Sequence, residues 1–425
     1  MTLDRRDFLK FSAAGIVVSM FPGCATSANV FGSKKGQRVV IVGAGFGGAT
    51  AAKHIRMWSG NSIEVVLIER NPSFISCPMS NTVLSGSRTI SDLTRNYDTL
   101  KSKYGIELVR GEVTAVDPEK QTVTLAEGSI SYDRLIISPG VDFMFDKIEG
   151  FNAKVADESI PHAWKAGAQT TMLRKQLESM NDGGVFAISI PKMPYRCPPG
   201  PYERACQVAF YLKNKKPKSK VLILDANPDI VSKKGLFMAA WNELYPGMVE
   251  YRPNAEVRQI NVAGKTVKTE FEDVKADVLN IIPPMKAGAV ASMAGVANKD
   301  NRWCEVDFLS YESKAHKNIH VIGDSVSAAL PKSGHLATSQ AKICAAAIIE
   351  LMQGRQPDAN PVIANTCYSM VSNKEAVHVA HVYRYNAEKM AMLPADGGGV
   401  SAKRSDIEGT LADYWLKNIL SDVLL

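Results

Sequence analysis

Long apolar runs are missing from this 425-residue sequence. The longest outside a strand-like pattern, Phe11–Phe21, falls well short of the ~20 residues that a membrane-spanning helix needs. No low-complexity tract and no internal repeat is present. No arginine–aromatic cluster marks a nucleic-acid surface, and the net charge of +7 is spread along the chain. The seven cysteines include no C-x-x-C pair and no Cys/His group, so no metal site is expected. C-x-x-C-H is absent too, so this chain attaches no c-type haem itself. What is there is an ordinary globular composition, 45% hydrophobic and 22% charged, over a length that can bury two or three cores.

The N-terminus carries a different signal. Arg5-Arg6-Asp7-Phe8-Leu9-Lys10 precedes the short apolar stretch, and Ala25-Thr26-Ser27-Ala28 follows it. A basic segment, a short apolar segment and a small-residue end make a secretory leader. The paired arginines are those of a twin-arginine signal. Residues 1–28 are therefore expected to be an export leader cut near Ala28, with Cys24 as an alternative lipidation site, and the mature protein is expected in the periplasm. An oxidising compartment permits disulfides among Cys77, Cys197, Cys206, Cys304, Cys344 and Cys367.

Gln37–Val42 reads as a short buried strand running into Gly43-Ala44-Gly45-Phe46-Gly47-Gly48, with a helix following through Trp58. Glu64–Glu69 is a second buried strand ending in an acid, with Arg70 next. This is the order of a dinucleotide-binding unit. Gly43 permits the tight turn, Gly45 lets the backbone approach a pyrophosphate, and Gly48 allows close helix–strand packing. Glu69 is placed for a ribose hydroxyl. The pattern does not choose between FAD and NAD. Two more strands end in turns, one at Tyr132–Gly140 and one at Asn318-Ile319-His320-Val321-Ile322-Gly323-Asp324. Gly323-Asp324 suits a hydroxyl of a ribityl chain; the alternative is a helix N-cap.

A second α/β unit spans roughly 160–288, with strands at Val185–Ile190 and Val221–Asp225. Its first strand runs into Pro191-Lys192-Met193-Pro194-Tyr195-Arg196-Cys197-Pro198-Pro199-Gly200 in place of a glycine fingerprint. Prolines lack the N–H groups that cradle a pyrophosphate, so NAD(P)H is not expected as electron donor. Residues 366–425 form a third region. Its last segment, Leu411–Leu425, is partly amphipathic, with Leu411, Trp415, Ile419 and Val423 on one face and Leu420 and Leu424 intruding on the other. A helix packed on its own domain is expected there.

Five segments carry a resemblance: Arg196–Arg204, Asn280–Pro284, His320–Asp324, Pro331–His335 and Asn365–Ser369. From Gln37 to the C-terminus the chain resembles the flavoprotein subunit of flavocytochrome c sulfide dehydrogenase, within the glutathione-reductase-like flavoenzymes that include sulfide:quinone oxidoreductases. The resemblance implies an α/β fold with two Rossmann-like domains of glutathione-reductase type and a smaller C-terminal α+β domain. The FAD-binding domain is discontinuous, 37–160 and 289–365. A degenerate NAD-like domain occupies 161–288, and an interface domain occupies 366–425.

The resemblance also implies chemistry. Gly43, Gly45, Gly48, Glu69, Arg70, Gly140, Gly323 and Asp324 fall in its cofactor-binding segments. FAD is held covalently through Cys77; the bland alternative is a buried thiol. Cys197 and Cys367 form a redox disulfide, the alternatives being a structural disulfide or two unrelated thiols. Hydrosulfide opens that disulfide, electrons pass to FAD and then to a separate c-type cytochrome subunit. Glu203 is either a proton-transfer group or a surface carboxylate paired with Arg204 or Lys215. Lys332 either stands near the flavin pyrimidine ring or is a capping or solvated lysine, and His335 is structural. Cys206, Cys304 and Cys344 pack the core. The competing functions are a sulfide:quinone oxidoreductase and a redox-inactive exported FAD-binding subunit.

Overall fold

A computed structural model describes residues 36–425. The expected leader, with Arg5, Arg6, Cys24 and the cleavage near Ala28, lies outside the described residues.

Two parallel sheets organise the chain. In the first the strand order is Ile319–Val321, Arg134–Ile137, Arg38–Val42, Glu64–Glu69, Glu107–Arg110. Every neighbouring pair is parallel. The central strand Arg-Val-Val-Ile-Val is buried throughout, and Glu-Val-Val-Leu-Ile-Glu beside it nearly so. Near-continuous β-branched runs are what a parallel sheet covered on both faces requires. Helices Phe46–Trp58 and Gly334–Met352 lie against each other and cover this unit.

The second sheet has the order Val249–Arg252, Lys220–Asp225, Val185–Ile190, Val278–Ile281, again all parallel. Helix Gly200–Lys215 follows its first strand and is buried along most of its length. Two-stranded pairing of Val141–Phe143 with Met285–Ala287 joins the units. The molecule thus has two nucleotide-type units, the first split in sequence by the second.

The C-terminal part is an antiparallel meander, Val362–Met370, Ala376–Asn386 and Ala391–Val400, followed by helix Asp406–Leu424. Its first strand runs across the boundary expected at 365/366. That strand is tied to the start of helix Gly334–Met352: Ser333 Oγ donates to Asn365 Oδ1 at 2.6 Å, and Thr366 N donates to His335 Nδ1 at 2.9 Å.

The last helix corrects two expectations. Its buried face is Ala412, Leu416, Ile419, Leu420, Val423 and Leu424, while Leu411 is 45% exposed. It also does not pack on its own domain alone. It lies against helix Phe46–Trp58, where Lys53 Nζ donates to the carbonyls of Ser421 and Asp422. A cation at a helix C-terminus meets the negative end of the dipole. Two packing partners widen the buried arc, which is why leucines that look intrusive on a one-sided helix are core.

Candidate functional site

The glycine loop after Arg38–Val42 is forced by crowding. Gly43 has φ +95°, and a Cβ there would stand 2.4 Å from the Ser138 carbonyl oxygen. A Cβ on Gly48 would stand 1.8 Å from the Gly43 carbonyl oxygen. Glu69, buried at the end of its strand, braces the same loop: Oε2 accepts from Ala44 N at 2.8 Å, and Oε1 accepts from Asn71 N and Nδ2.

A groove of about 330 Å³ opens here, lined by the glycine loop, Glu69, Arg70, Cys77, Gly140, Arg196, Gly323 and Asp324. Gly45 begins helix Phe46–Trp58 with no side-chain cap, leaving the positive helix end to an anion. Asp324 Oδ1 is buried in this wall and has no hydrogen-bond partner. Burial pushes its carboxyl up, against the pull of Arg196 and Lys332. A buried orphan acceptor beside a phosphate-type cradle fits the hydroxyl-rich chain of FAD. Arg70 is exposed on the rim and ion-pairs Glu112 at 3.1 Å. Cys77 is half-buried in the groove and faces the Arg196 guanidinium.

Behind this groove, through Arg196, lies the cysteine pair. Cys197 sits in the loop after Val185–Ile190 with φ +59°; its N–H donates to the Lys332 carbonyl at 2.8 Å, and its own carbonyl accepts from Gly200 N. Cys367 is on the first strand of the C-terminal meander. The two thiols face each other across 170 positions of sequence. Both are free thiols in the structure. The neighbouring Cys367 sulfur, then burial, pushes the Cys197 thiol up; the neighbouring Cys197, helped by Lys233, pulls Cys367 down.

Helix Gly200–Lys215 makes the meeting possible, because it is sewn to the meander by buried polar groups. Glu203 Oε1 accepts from Met370 N at 2.9 Å, and Oε2 accepts from Asn81 Nδ2 at 2.8 Å. Gln207 Nε2 donates to the Met370 and Ser372 carbonyls. Glu203 is therefore buried and makes no ion pair among the described residues, which corrects the surface pairing with Arg204 or Lys215. Burial pushes its carboxyl up. Lys332 is not the solvated lysine of one alternative. It is buried and donates to the Asp324 and Val326 carbonyls at 2.7 and 2.8 Å. Burial lowers it to about 8.

Several functional residues went unremarked in the sequence. Arg196 and Arg204 flank the Cys-Pro-Pro-Gly loop, and arginines that close to buried prolines were a usable signal. Arg204 is buried, donating to Asn81 Oδ1, Asn280 Oδ1 and the carbonyls of His162 and Ala163; burial lowers it to about 9. Lys233 carried no signal at all, since Lys233-Lys234 reads as surface. It is buried at φ +54°, with Nζ donating to Ser369 Oγ at 2.8 Å and the Cys367 carbonyl at 3.2 Å.

The second unit's strand-end acid is filled from within. Asp225 accepts from Tyr202 OH at 2.7 Å, Tyr251 OH at 3.0 Å, and Asn227 N and Nδ2. Nothing is left there for a nucleotide ribose. Among the described residues no His/Cys/Asp/Glu group could hold a metal, and no helix is long and apolar enough to cross a membrane.

Comparisons agree with this division. Residues 170–283 match the central-domain model of the sulfide dehydrogenase [flavocytochrome c] flavoprotein chain, and 359–424 match the flavocytochrome c sulphide dehydrogenase flavin-binding model. Residues 37–175 match the pyridine nucleotide-disulphide oxidoreductase model. A sulfide dehydrogenase [flavocytochrome c] flavoprotein chain from Chlorobaculum thiosulfatiphilum is 51% identical over 47 residues, 11% of this chain and 96% of that one. A mitochondrial sulfide:quinone oxidoreductase of Dictyostelium discoideum is 24% identical over 340 residues, 76% of this chain and 74% of that one. The X-ray structure of the sulfide:quinone oxidoreductase of Aquifex aeolicus superposes with a TM-score of 0.72 at 20% identity, covering 91% of each chain. Fold, groove and matched domains together show an FAD flavoprotein related to the sulfide:quinone oxidoreductases, with its central and C-terminal segments similar to the flavoprotein chain of flavocytochrome c sulfide dehydrogenase.

Proposed function

We propose that the chain is the flavoprotein subunit of a periplasmic sulfide dehydrogenase that delivers electrons to a c-type cytochrome. The observation that carries this reading is the contact between the Cys197 and Cys367 thiols one residue behind the Arg196 wall of the cofactor groove. When bound, the flavin supplies a two-electron acceptor able to release electrons singly. The Gly43–Gly48 loop would hold its pyrophosphate, Glu69 its ribose and Asp324 its ribityl chain. Cys77, on the groove wall, would anchor the ring as a thioether.

Cys197 and Cys367 cycle between the thiol pair and a disulfide. Hydrosulfide attacks the disulfide, leaving a persulfide on one cysteine and a thiolate on the other. Glu203, buried against the Met370 amide beside the pair, holds or passes the proton. The filled Asp225 and the proline loop leave no route for NAD(P)H. The leader expected at 1–28 supports export.

A quinone acceptor is the second reading, favoured by the long matches to sulfide:quinone oxidoreductases. Anaerobic sulfide is added to purified protein while flavin absorbance is followed. Bleaching by stoichiometric sulfide, reversed by cytochrome c and not by a soluble quinone analogue, is the expected result. Reversal by the quinone alone overturns the acceptor. No bleaching overturns sulfide oxidation and leaves a redox-inactive FAD protein. Cys197→Ser and Cys367→Ser should each slow bleaching by on the order of a thousandfold or more. Flavin fluorescence should stay on the denatured polypeptide and leave it in Cys77→Ser.

A further inference from the structure

Lys233 is the one buried ammonium packed on the cysteine pair among the described residues, and it makes no ion pair there. Its backbone starts helix Lys234–Leu244 in the left-handed region, which swings the side chain inward to the meander. Ser369 Oγ and the Cys367 carbonyl take two of its three N–H bonds. A buried ammonium hydrogen-bonded to neutral oxygens, with no carboxylate in ion-pair contact, is costly, and an anion forming beside it offsets that cost. The groups facing it are Cys367, Cys197, Glu203 and Glu408.

We propose that Lys233 is a positioning residue that makes Cys367 the leaving half of the disulfide: hydrosulfide attacks Cys197, and the electron pair of the broken bond settles on Cys367 Sγ beside the Lys233 ammonium. The proposal rests on the disulfide chemistry above. In the step the Cys197–Cys367 bond breaks and a bond forms between Cys197 Sγ and the substrate sulfur. The products are a Cys197 persulfide, which keeps the substrate proton, and the Cys367 thiolate. The substrate sulfur is oxidised and the disulfide is reduced, so no other oxidant enters. A thiol of lower pKa leaves faster, which sets the direction. Arg196 faces Cys197, yet its guanidinium is shared with Cys77 and Asp324. Lys233 faces Glu203 and Glu408 as well, but Cys367 is its strongest acidic neighbour and neither carboxylate forms an ion pair with it.

Two measurements on the full-length protein test this. The first alkylates the dithiol form with iodoacetamide across pH and reads each cysteine by peptide mass; it needs no sulfide. Cys367 should alkylate at lower pH than Cys197. Lys233→Met should slow Cys367 alkylation at pH 7 about tenfold, the effect of one pKa unit, and Lys233→Arg should restore it. Lys233→Asn keeps a residue suited to the left-handed backbone and should behave as Lys233→Met, so misfolding of one variant does not decide the result. An unchanged Cys367 profile in both uncharged variants overturns the role of Lys233. The second adds one equivalent of sulfide to the disulfide form and traps the products by alkylation. A persulfide on the Cys197 peptide supports the direction, and one on the Cys367 peptide overturns it. Persulfide on neither overturns the disulfide reading itself, while the first measurement still reports on Lys233.

Discussion

After Arg38–Val42 the chain turns through six residues containing four glycines, and after Val185–Ile190 it turns through a loop with four prolines and Cys197. Both turns leave a parallel strand and enter a helix. The first keeps backbone N–H groups free and walls an open groove with the unpartnered Asp324 Oδ1. The second has no cradle, and its strand-end acid Asp225 is capped by two tyrosines and an asparagine. Two copies of one scaffold have taken different work. One holds a nucleotide, and the other holds a sulfur atom still against a third element of the chain.

Substitutions at matched places should separate the two. The largest effect is expected in the first unit. In Gly48→Ala the new Cβ collides with the Gly43 carbonyl, so flavin bound per chain, read from absorbance, should fall more than about tenfold. In the second unit the acid is structural. Asp225→Ala strands the buried Tyr202 hydroxyl and the half-buried Tyr251 hydroxyl and should cost about 2–3 kcal/mol in urea unfolding, with flavin content unchanged. NADH binding in calorimetry would break the comparison outright.

A third expectation concerns pH. His162 is held neutral by burial, lowered to about 3, while its Nδ1 accepts from Trp164 N at 2.9 Å. Its folded value lies below its unfolded value near 6.5, so the unfolded chain binds the extra proton between them. Stability is full above pH 6.5 and declines as pH falls toward 3. His162→Asn keeps an acceptor for Trp164 and should remove on the order of 2 kcal/mol of that decline by pH 4. The smallest effect is at Gly200, which opens the helix after the second unit's first strand. Its added Cβ would meet Cys197 Sγ and Trp164 at 2.8 Å, both side-chain atoms able to shift. Gly200→Ala should slow sulfide bleaching about tenfold and leave bound flavin intact.

Much of this was legible because it is local. The glycine loop, the strands around it and the acid Glu69 are specified by residues adjacent in sequence, and backbone sterics alone require glycine at Gly43 and Gly48. The loss of the nucleotide cradle at Pro191–Gly200 is equally local. The helix Asp406–Leu424 was half legible: its period is plain, but its buried face depends on a second partner, helix Phe46–Trp58. For Glu203 and Lys332 the sequence left a solvated alternative open that the structure removes, because burial is not written in a charged residue's neighbours.

By itself the sequence determined two nucleotide-type units, one with a cradle and one without, and named the six cysteines available for chemistry. Only the tertiary structure decided which of them meet. Helix Gly200–Lys215 is bonded through Glu203 and Gln207 to the strand Val362–Met370, and that docking carries Cys367 to Cys197 and Lys233 to both. Contacts between residues more than a hundred positions apart follow from how finished surfaces fit, which no local pattern encodes.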